Sequence, residues 1–211
     1  NTSNVTDMTD MFTNFQINEG LDLGDKFDTK NVTNMNSMFY SCDVSSLNLR
    51  DKFDTSNVTD MSLMFCELGK RRITELDLGD KFDTSKVTYM PKMFDNCGVE
   101  TMTSLNLGDK FDTRNVIDMS YMFNSCGETA LTSLDLGDKF YTARVENLDN
   151  MFLNCGGGSL VALDLGPVFT FSSVANVNED IFIGMGNEET IIYAPESIFS
   201  DEKHFKDASN N

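Results

Sequence analysis

Cysteine and aspartate are the residues in this chain whose types and spacing suit chemistry. Cys42, Cys97, Cys126 and Cys155 each lie twenty-one residues after the first Leu of a Leu-Asp/Asn-Leu triplet, and Cys66 comes two residues early. In the partial repeat at the N-terminus, Phe15 takes the equivalent place. A place open to Phe is apolar, so the cysteines read as a column of packed free thiols. Zinc would need closely spaced Cys pairs or nearby histidines, and neither occurs. A disulfide between neighbouring repeats is open on geometry, but an odd count argues against a disulfide framework. The one histidine, His204, has no nucleophile or ligand set beside it and reads as ordinary.

Aspartate also recurs in columns. Asp25, Asp51, Asp80, Asp109 and Asp138 form one, and Asp28, Asp54, Asp83 and Asp112 a second. A third comprises Asp22, Asp77, Asp135 and Asp164, with Asn48 and Asn106 interrupting it. Like charges stacked at strand spacing repel. The column Lys26, Lys52, Lys81, Lys110 and Lys139 is expected to neutralise the first. The second is expected to cap a helix or close an Asx turn. Carboxylates converging between repeats would suit calcium, but the loop order of calcium motifs is missing, so no cofactor is expected. Rows of Thr (Thr29, Thr55, Thr84, Thr113, Thr142 and Thr33, Thr59, Thr88) suggest ordered water and ice binding. Capping explains the first row, and the second breaks at Ile117 and Glu146. The NVT tripeptides at Asn4, Asn31 and Asn57 match a glycosylation sequon, yet they are part of the repeat and vanish where it drifts. There is no Ser-His-Asp set, glycine-rich phosphate loop or metal motif, and a solvated Asp ladder lacks the burial that splits carboxyl pKa values. The chain is expected to be no enzyme and to carry no catalytic or metal-binding residues.

The elements that position these residues come from an internal repeat. The triplets start at Leu21, Leu47, Leu76, Leu105, Leu134 and Leu163, at intervals of 26, 29, 29, 29 and 29 residues. That is a solenoid period. The pattern LxxLxL, as in Leu131-x-x-Leu134-x-Leu136, ends in a period-two alternation, which predicts a short strand with Leu inward and Asp or Asn outward. Gly follows, as at Gly24, Gly79, Gly108 and Gly137, where the chain leaves the strand for a turn. An inward Phe comes next (Phe27, Phe53, Phe82, Phe111, Phe140, Phe169). Val87, Met90, Met93 and Phe94, at offsets of three, six and seven, predict one or two turns of helix with one buried stripe. No repeat can bury its apolar face alone, so stacking is required.

The expected fold is therefore an α/β repeat solenoid. It has short parallel strands on one face and short helices or turns on the other. Residues 1–194 make one partial coil, six full coils and a closing strand at Thr190–Tyr193; residues 195–211 make a C-terminal cap helix, with Ile198, Phe199 and Phe205 on one face, and a frayed tail. The sixth coil departs from the pattern at Pro167, Val168 and Val177, as a terminal coil would.

The net charge is −18, which argues against nucleic acid and anionic membrane surfaces and favours cationic or basic partners. Hydrophobic residues make up 40% of the chain, enough for a core, and no apolar run is long enough to span a bilayer. The chain begins without Met, a basic segment or an apolar stretch, so any targeting or anchoring signal is expected to lie outside it.

The LxxLxL pattern followed by a Met-Phe-x-x-Cys block resembles bacterial surface-protein repeats related to the BspA-like leucine-rich repeats, which also occur in mycoplasma lipoproteins. Phe53–Phe65 and Phe111–Cys126 carry the phrase FDTSNVTDMSxMFxxC, and the resemblance runs from Asn4 to about Pro195. It implies a leucine-rich-repeat-like solenoid displayed on a bacterial cell surface, often as an adhesin, with no catalytic residues. The expected function is recognition or adhesion by a monomer that binds a host or neighbouring-cell surface protein or matrix component. The alternative is a structural spacer that projects another domain. The binding residues expected on the strand face are Asp22, Asn48, Glu75, Asp77, Asn106, Asp135 and Asp164. Arg71 and Arg72 join them from the one basic break in the repeat. Aromatic side chains are missing from the strand face as read from the repeat pattern.

Overall fold

The computed structural model describes residues 2–174 and 179–199. Seven short strands follow in chain order: β1 (Leu21–Asp22), β2 (Leu47–Asn48), β3 (Glu75–Asp77), β4 (Ser104–Asn106), β5 (Ser133–Asp135), β6 (Ala162–Asp164) and β7 (Ile191–Tyr193). They pair in parallel within three small sheets, β1–β2, β3–β4 and β5–β6–β7. The register places triplet on triplet: Leu21 opposite Leu47, Leu76 opposite Leu105, Leu134 opposite Leu163, and Leu163 opposite Ile192. The period-two alternation is as the pattern requires, with the central Leu of β3, β4 and β5 buried between exposed neighbours. A second line of single-residue parallel bridges runs through Asp7, Asn34, Asp60, Tyr89, Asp118 and Asn147.

The predicted helices in each repeat do not form. The described residues hold one four-residue α-helix, α1 (Glu196–Phe199), and two short 3-10 segments. The rest of the expected cap helix, including His204 and Phe205, lies outside the described residues, as does Val177.

The cause is visible in the backbone. In the repeat around Phe94, the amides of Met93, Asp95 and Cys97 donate to carbonyls three residues back. The alternate amides of Met90, Lys92, Phe94 and Asn96 donate instead to Asp118, Ser120, Met122 and Asn124 of the next repeat. Lys92 and Asn96 hold φ of 57° and 55°. The same paired left-handed residues recur at Ser37 and Ser41, Leu63 and Glu67, and Tyr121 and Ser125. A left-handed residue every fourth position breaks the uniform negative φ that an α-helix needs. The result is a run of tight turns. Offsets of three, six and seven bury the same side chains in successive turns as in a helix, so side-chain periodicity did not separate the two.

Inside, two columns of phenylalanine interleave. Phe12, Phe39, Phe65, Phe94, Phe123, Phe152 and Phe182 stack face to face with centroids 5.3–5.6 Å apart. Phe27, Phe53, Phe82, Phe111, Phe140 and Phe169 stack at 6.2–6.5 Å. The columns touch across tilted pairs such as Phe65–Phe82 at 6.0 Å. Met, Val and Leu of each repeat complete one continuous core.

Threonine contributes inside the core, not at helix caps. Thr29, Thr55, Thr84, Thr113 and Thr142 are fully buried. Each hydroxyl donates to a backbone carbonyl of the following repeat, at Asp54, Asp83, Asp112, Tyr141 and Thr170 respectively. Thr84 Oγ1 also accepts the Asp112 amide at 2.7 Å, closing a two-way bridge. A row of buried hydroxyls cannot order surface water, which removes the ice-binding reading for this column.

Two outcomes follow for chemical denaturation. Phe94→Ala, deep in its column, loses about 3–5 kcal/mol, whereas Phe12→Ala, half-buried at the first repeat, loses clearly less. Thr84→Val loses about 1–3 kcal/mol because the buried Asp112 amide is left without a partner; Thr84→Ser retains most of the wild-type stability. Equal midpoints for the Val and Ser variants would contradict the bridge.

Candidate functional site

The six outward Asp and Asn residues of the strand row share one local job. The Oδ1 of Asp22, Asn48, Asp77, Asn106, Asp135 and Asp164 accepts the amide two residues on, at 2.8–3.1 Å. These are Asx turns, and they bend the chain out of each strand. An amide oxygen serves as well as a carboxylate, which is why Asn48 and Asn106 fit the row. At most positions the left-handed residue that follows is Gly, and in the second repeat Arg50 takes that place at φ 63°. The free end of each side chain is left to solvent or to a neighbour. Asn106 Nδ2 donates to Asp77 Oδ1 at 3.2 Å. Arg50 pairs with Asp22, and that hydrogen bond, with the Gly24 amide, holds the Asp22 carboxyl down at about 2.

Asx turns also account for the second column, where Asp28, Asp54, Asp83 and Asp112 accept from the amides of Lys30, Ser56, Ser85 and Arg114. They close turns and cap no helix. A further column, unrecognised in the sequence, does the same at Asp7, Asn34, Asp60, Asp118 and Asn147. Its signal was present, since these residues hold one place in successive repeats, broken by Tyr89. The lysine column does not neutralise its Asp neighbours by contact. Among the described residues none of Lys26, Lys52, Lys81, Lys110 or Lys139 forms an ion pair, and Lys139 donates to the Asp109 carbonyl at 2.9 Å. Asp25, Asp51, Asp80, Asp109 and Asp138 are all exposed, so water screens their repulsion.

The basic break is likewise engaged. Arg71 pairs with Glu100 at 2.9 Å, Arg72 with Asp43 at 3.2 Å, and Lys70 with Glu67 at 3.5 Å. Arg72 also donates to Asn18 at 2.9 Å. These cations rim a hollow of about 660 Å³. Glu75 opens β3, exposed, opposite Ser104. Arg71 and Arg72 thus belong to the loop edge, while in the strand row Asp22 lies opposite Asn48, Asp77 opposite Asn106 and Asp135 opposite Asp164. Around the C-terminal part of that row a cleft of about 940 Å³ opens, lined by Asn106, Asp109, Asp135, Asp138, Asp164 and Tyr193.

All five cysteines are buried and free. Burial pushes Cys42 up to about 11, Cys66 and Cys155 to about 12, and Cys97 and Cys126 upward too. They are thiols at neutral pH, so they lack the thiolate that attacks a substrate or binds metal. Among the described residues no three of His, Cys, Asp and Glu gather as a metal-binding group. Cys66 does not belong to the cysteine column. The amides of Gly69, Gly98, Gly127 and Gly156 donate to Cys42, Leu68, Cys97 and Cys126, so Leu68 fills that column in the second repeat. Cys66 shares its place with Tyr40, Asp95 and Asn124.

Asp95 is the one carboxylate in that inner column. It is 7% exposed, and burial raises its pKa although Asn124 and Asn96 each donate to it at 2.7 Å and Lys92 lies near. An acid whose folded pKa is raised adds its full stability below its unfolded value of about 3.9 and loses it as pH rises through the folded value. Asp95→Asn is therefore expected to raise the urea midpoint at pH 7, with the gain shrinking as pH falls through the raised folded value and levelling off below about 4. An unchanged difference between variant and wild type across that range would oppose the assignment.

Comparison with known families gives one match. Residues 1–97 and 70–184 fit the model of a family described as "Mycoplasma protein of unknown function, DUF285". No curated protein and no solved structure matches the chain.

Proposed function

The chain belongs to that Mycoplasma family, and from this premise we propose that it is a recognition or adhesion module displayed on the cell surface. In this reading the repeats form one leucine-rich-repeat-like solenoid, a monomer without catalytic activity or cofactor. It binds a protein or extracellular-matrix partner through its strand face. No helix among the described residues is long and apolar enough to cross a membrane, and the acidic balance disfavours nucleic acid as the partner. The observation that carries the proposal is the row itself. Six Asp and Asn side chains hold one place in successive strands, in register as the pairs Asp22–Asn48, Asp77–Asn106 and Asp135–Asp164, each held by one oxygen to its own turn; the second ends of Asp22 and Asn106 meet Arg50 and Asp77, and the others are presented outward. Side chains pinned in this way lose little further entropy on binding.

The same bonds favour a second reading, that of a spacer. The Asx turns explain every residue of the row without a ligand. Adhesion decides between the two. Beads coated with the chain are expected to bind cultured host cells or matrix-coated surfaces, and excess soluble chain is expected to compete. Beads that bind no better than bare ones leave the spacer.

A further inference from the structure

We propose that the docking site lies at the C-terminal end of the strand face, around Tyr193, and that its occupant is an extended protein segment carrying basic and apolar side chains in alternation. This rests on the recognition reading and names its partner's chemistry. The outward positions change character toward β7. Where earlier repeats carry Thr74, Thr103 and Thr132, the sixth carries Val161. Glu75 faces Ser104, Ser133 faces Ala162, and Ala162 faces Ile191. The Asp/Asn row ends with Asp164 opposite Tyr193. Val161, Ile191 and Tyr193 are 59%, 51% and 54% exposed. Stacking does not require apolar groups there, since Thr, Ser and Asp serve the same places in the earlier repeats. The aromatic that the repeat pattern lacked is present on this face.

Beside this apolar shelf lies the cleft of about 940 Å³, with Asp109, Asp135, Asp138 and Asp164 along it. Lys139 is the one cation in its lining, and its ammonium donates to the Asp109 carbonyl. Charge complementarity selects a basic group for the cleft, and the shelf beside it selects an apolar one. An extended chain presents successive side chains to opposite sides, so alternation lets one segment meet both surfaces. Anionic partners are repelled by the cleft and by the net charge of −18.

The test uses the full chain and a labelled synthetic peptide alternating Lys with Phe and Leu, with its Glu-for-Lys counterpart as control, followed by fluorescence polarisation. The variants copy residues that other repeats already carry. Asp135→Asn with Asp164→Asn keeps both Asx turns, as Asn48 and Asn106 do. Val161→Thr with Ile191→Ser restores the polar outward pattern. Each pair is expected to weaken Lys-peptide binding about five-fold or more, and the Asn pair also to flatten its salt dependence. Asp25→Asn with Asp80→Asn removes equal charge elsewhere and is expected to leave binding unchanged. Equal weakening by that distant pair, undiminished binding by the Thr/Ser pair, or a wild type that binds both peptides alike would overturn the site. Adhesion separates the two levels. A Thr/Ser variant that still adheres discards this site and keeps the recognition reading, and a wild type that does not adhere discards the recognition reading itself.

Discussion

In the turn segment of each repeat, alternate backbone amides have no acceptor within their own repeat. They are met by the carbonyls of the next one, as Met90, Lys92, Phe94 and Asn96 are met by Asp118, Ser120, Met122 and Asn124. A buried amide without a partner costs free energy comparable to a lost hydrogen bond. Much of the remaining architecture follows from this one requirement. The turn segments must match in length so that donors and acceptors align, although the whole repeats differ, at 26 and 29 residues. Left-handed residues must recur to aim alternate amides at the neighbour. The phenylalanine columns and the buried Thr bridges then inherit the same register and fill the space that it defines.

This constraint separates what is structural from what is available for recognition. The Asp and Asn residues that dominate the sequence are mostly turn-makers. Their Oδ1 atoms hold the backbone, and Asn replaces Asp in the strand row without change of role. Among the described residues the lysines beside the exposed Asp column form no ion pairs, so that column is kept tolerable by solvent. Arg71 and Arg72, distinctive in an acidic chain, each meet a carboxylate of another repeat. On the strand face, exposed apolar surface gathers where the repeat loses its polar pattern, at Val161, Ile191 and Tyr193. It is this departure, and not the abundant charge, that gives the two ends of the strand face different chemistry.

The inner column of Tyr40, Cys66, Asp95 and Asn124 shows how a repeat accommodates mixed chemistry. One place takes a phenol, a thiol, a carboxylate and an amide in succession. Burial raises the Asp95 and Cys66 pKa values, and the Asn124 amide reaches back to satisfy Asp95. Here the following repeat answers the polar group of Asp95, so a buried carboxylate is tolerated where an isolated one would not be.

The sequence by itself determined the repeat boundaries, the strands, the parallel pairing of triplet on triplet and the inward residues, because a period-two alternation and a fixed interval leave few ways to bury Leu and Phe. It also located the Asp/Asn row and the closing strand at β7. It did not determine the turns. Offsets of three, six and seven bury one stripe in an α-helix and in a run of tight turns alike, and only the left-handed φ of residues such as Lys92 and Tyr121 separates them. Nor could it show that Leu68, not Cys66, completes the cysteine column, or that Thr84 bridges two backbones from within the core. Those follow from which carbonyl lies opposite which donor, and that is decided when one repeat settles against the next.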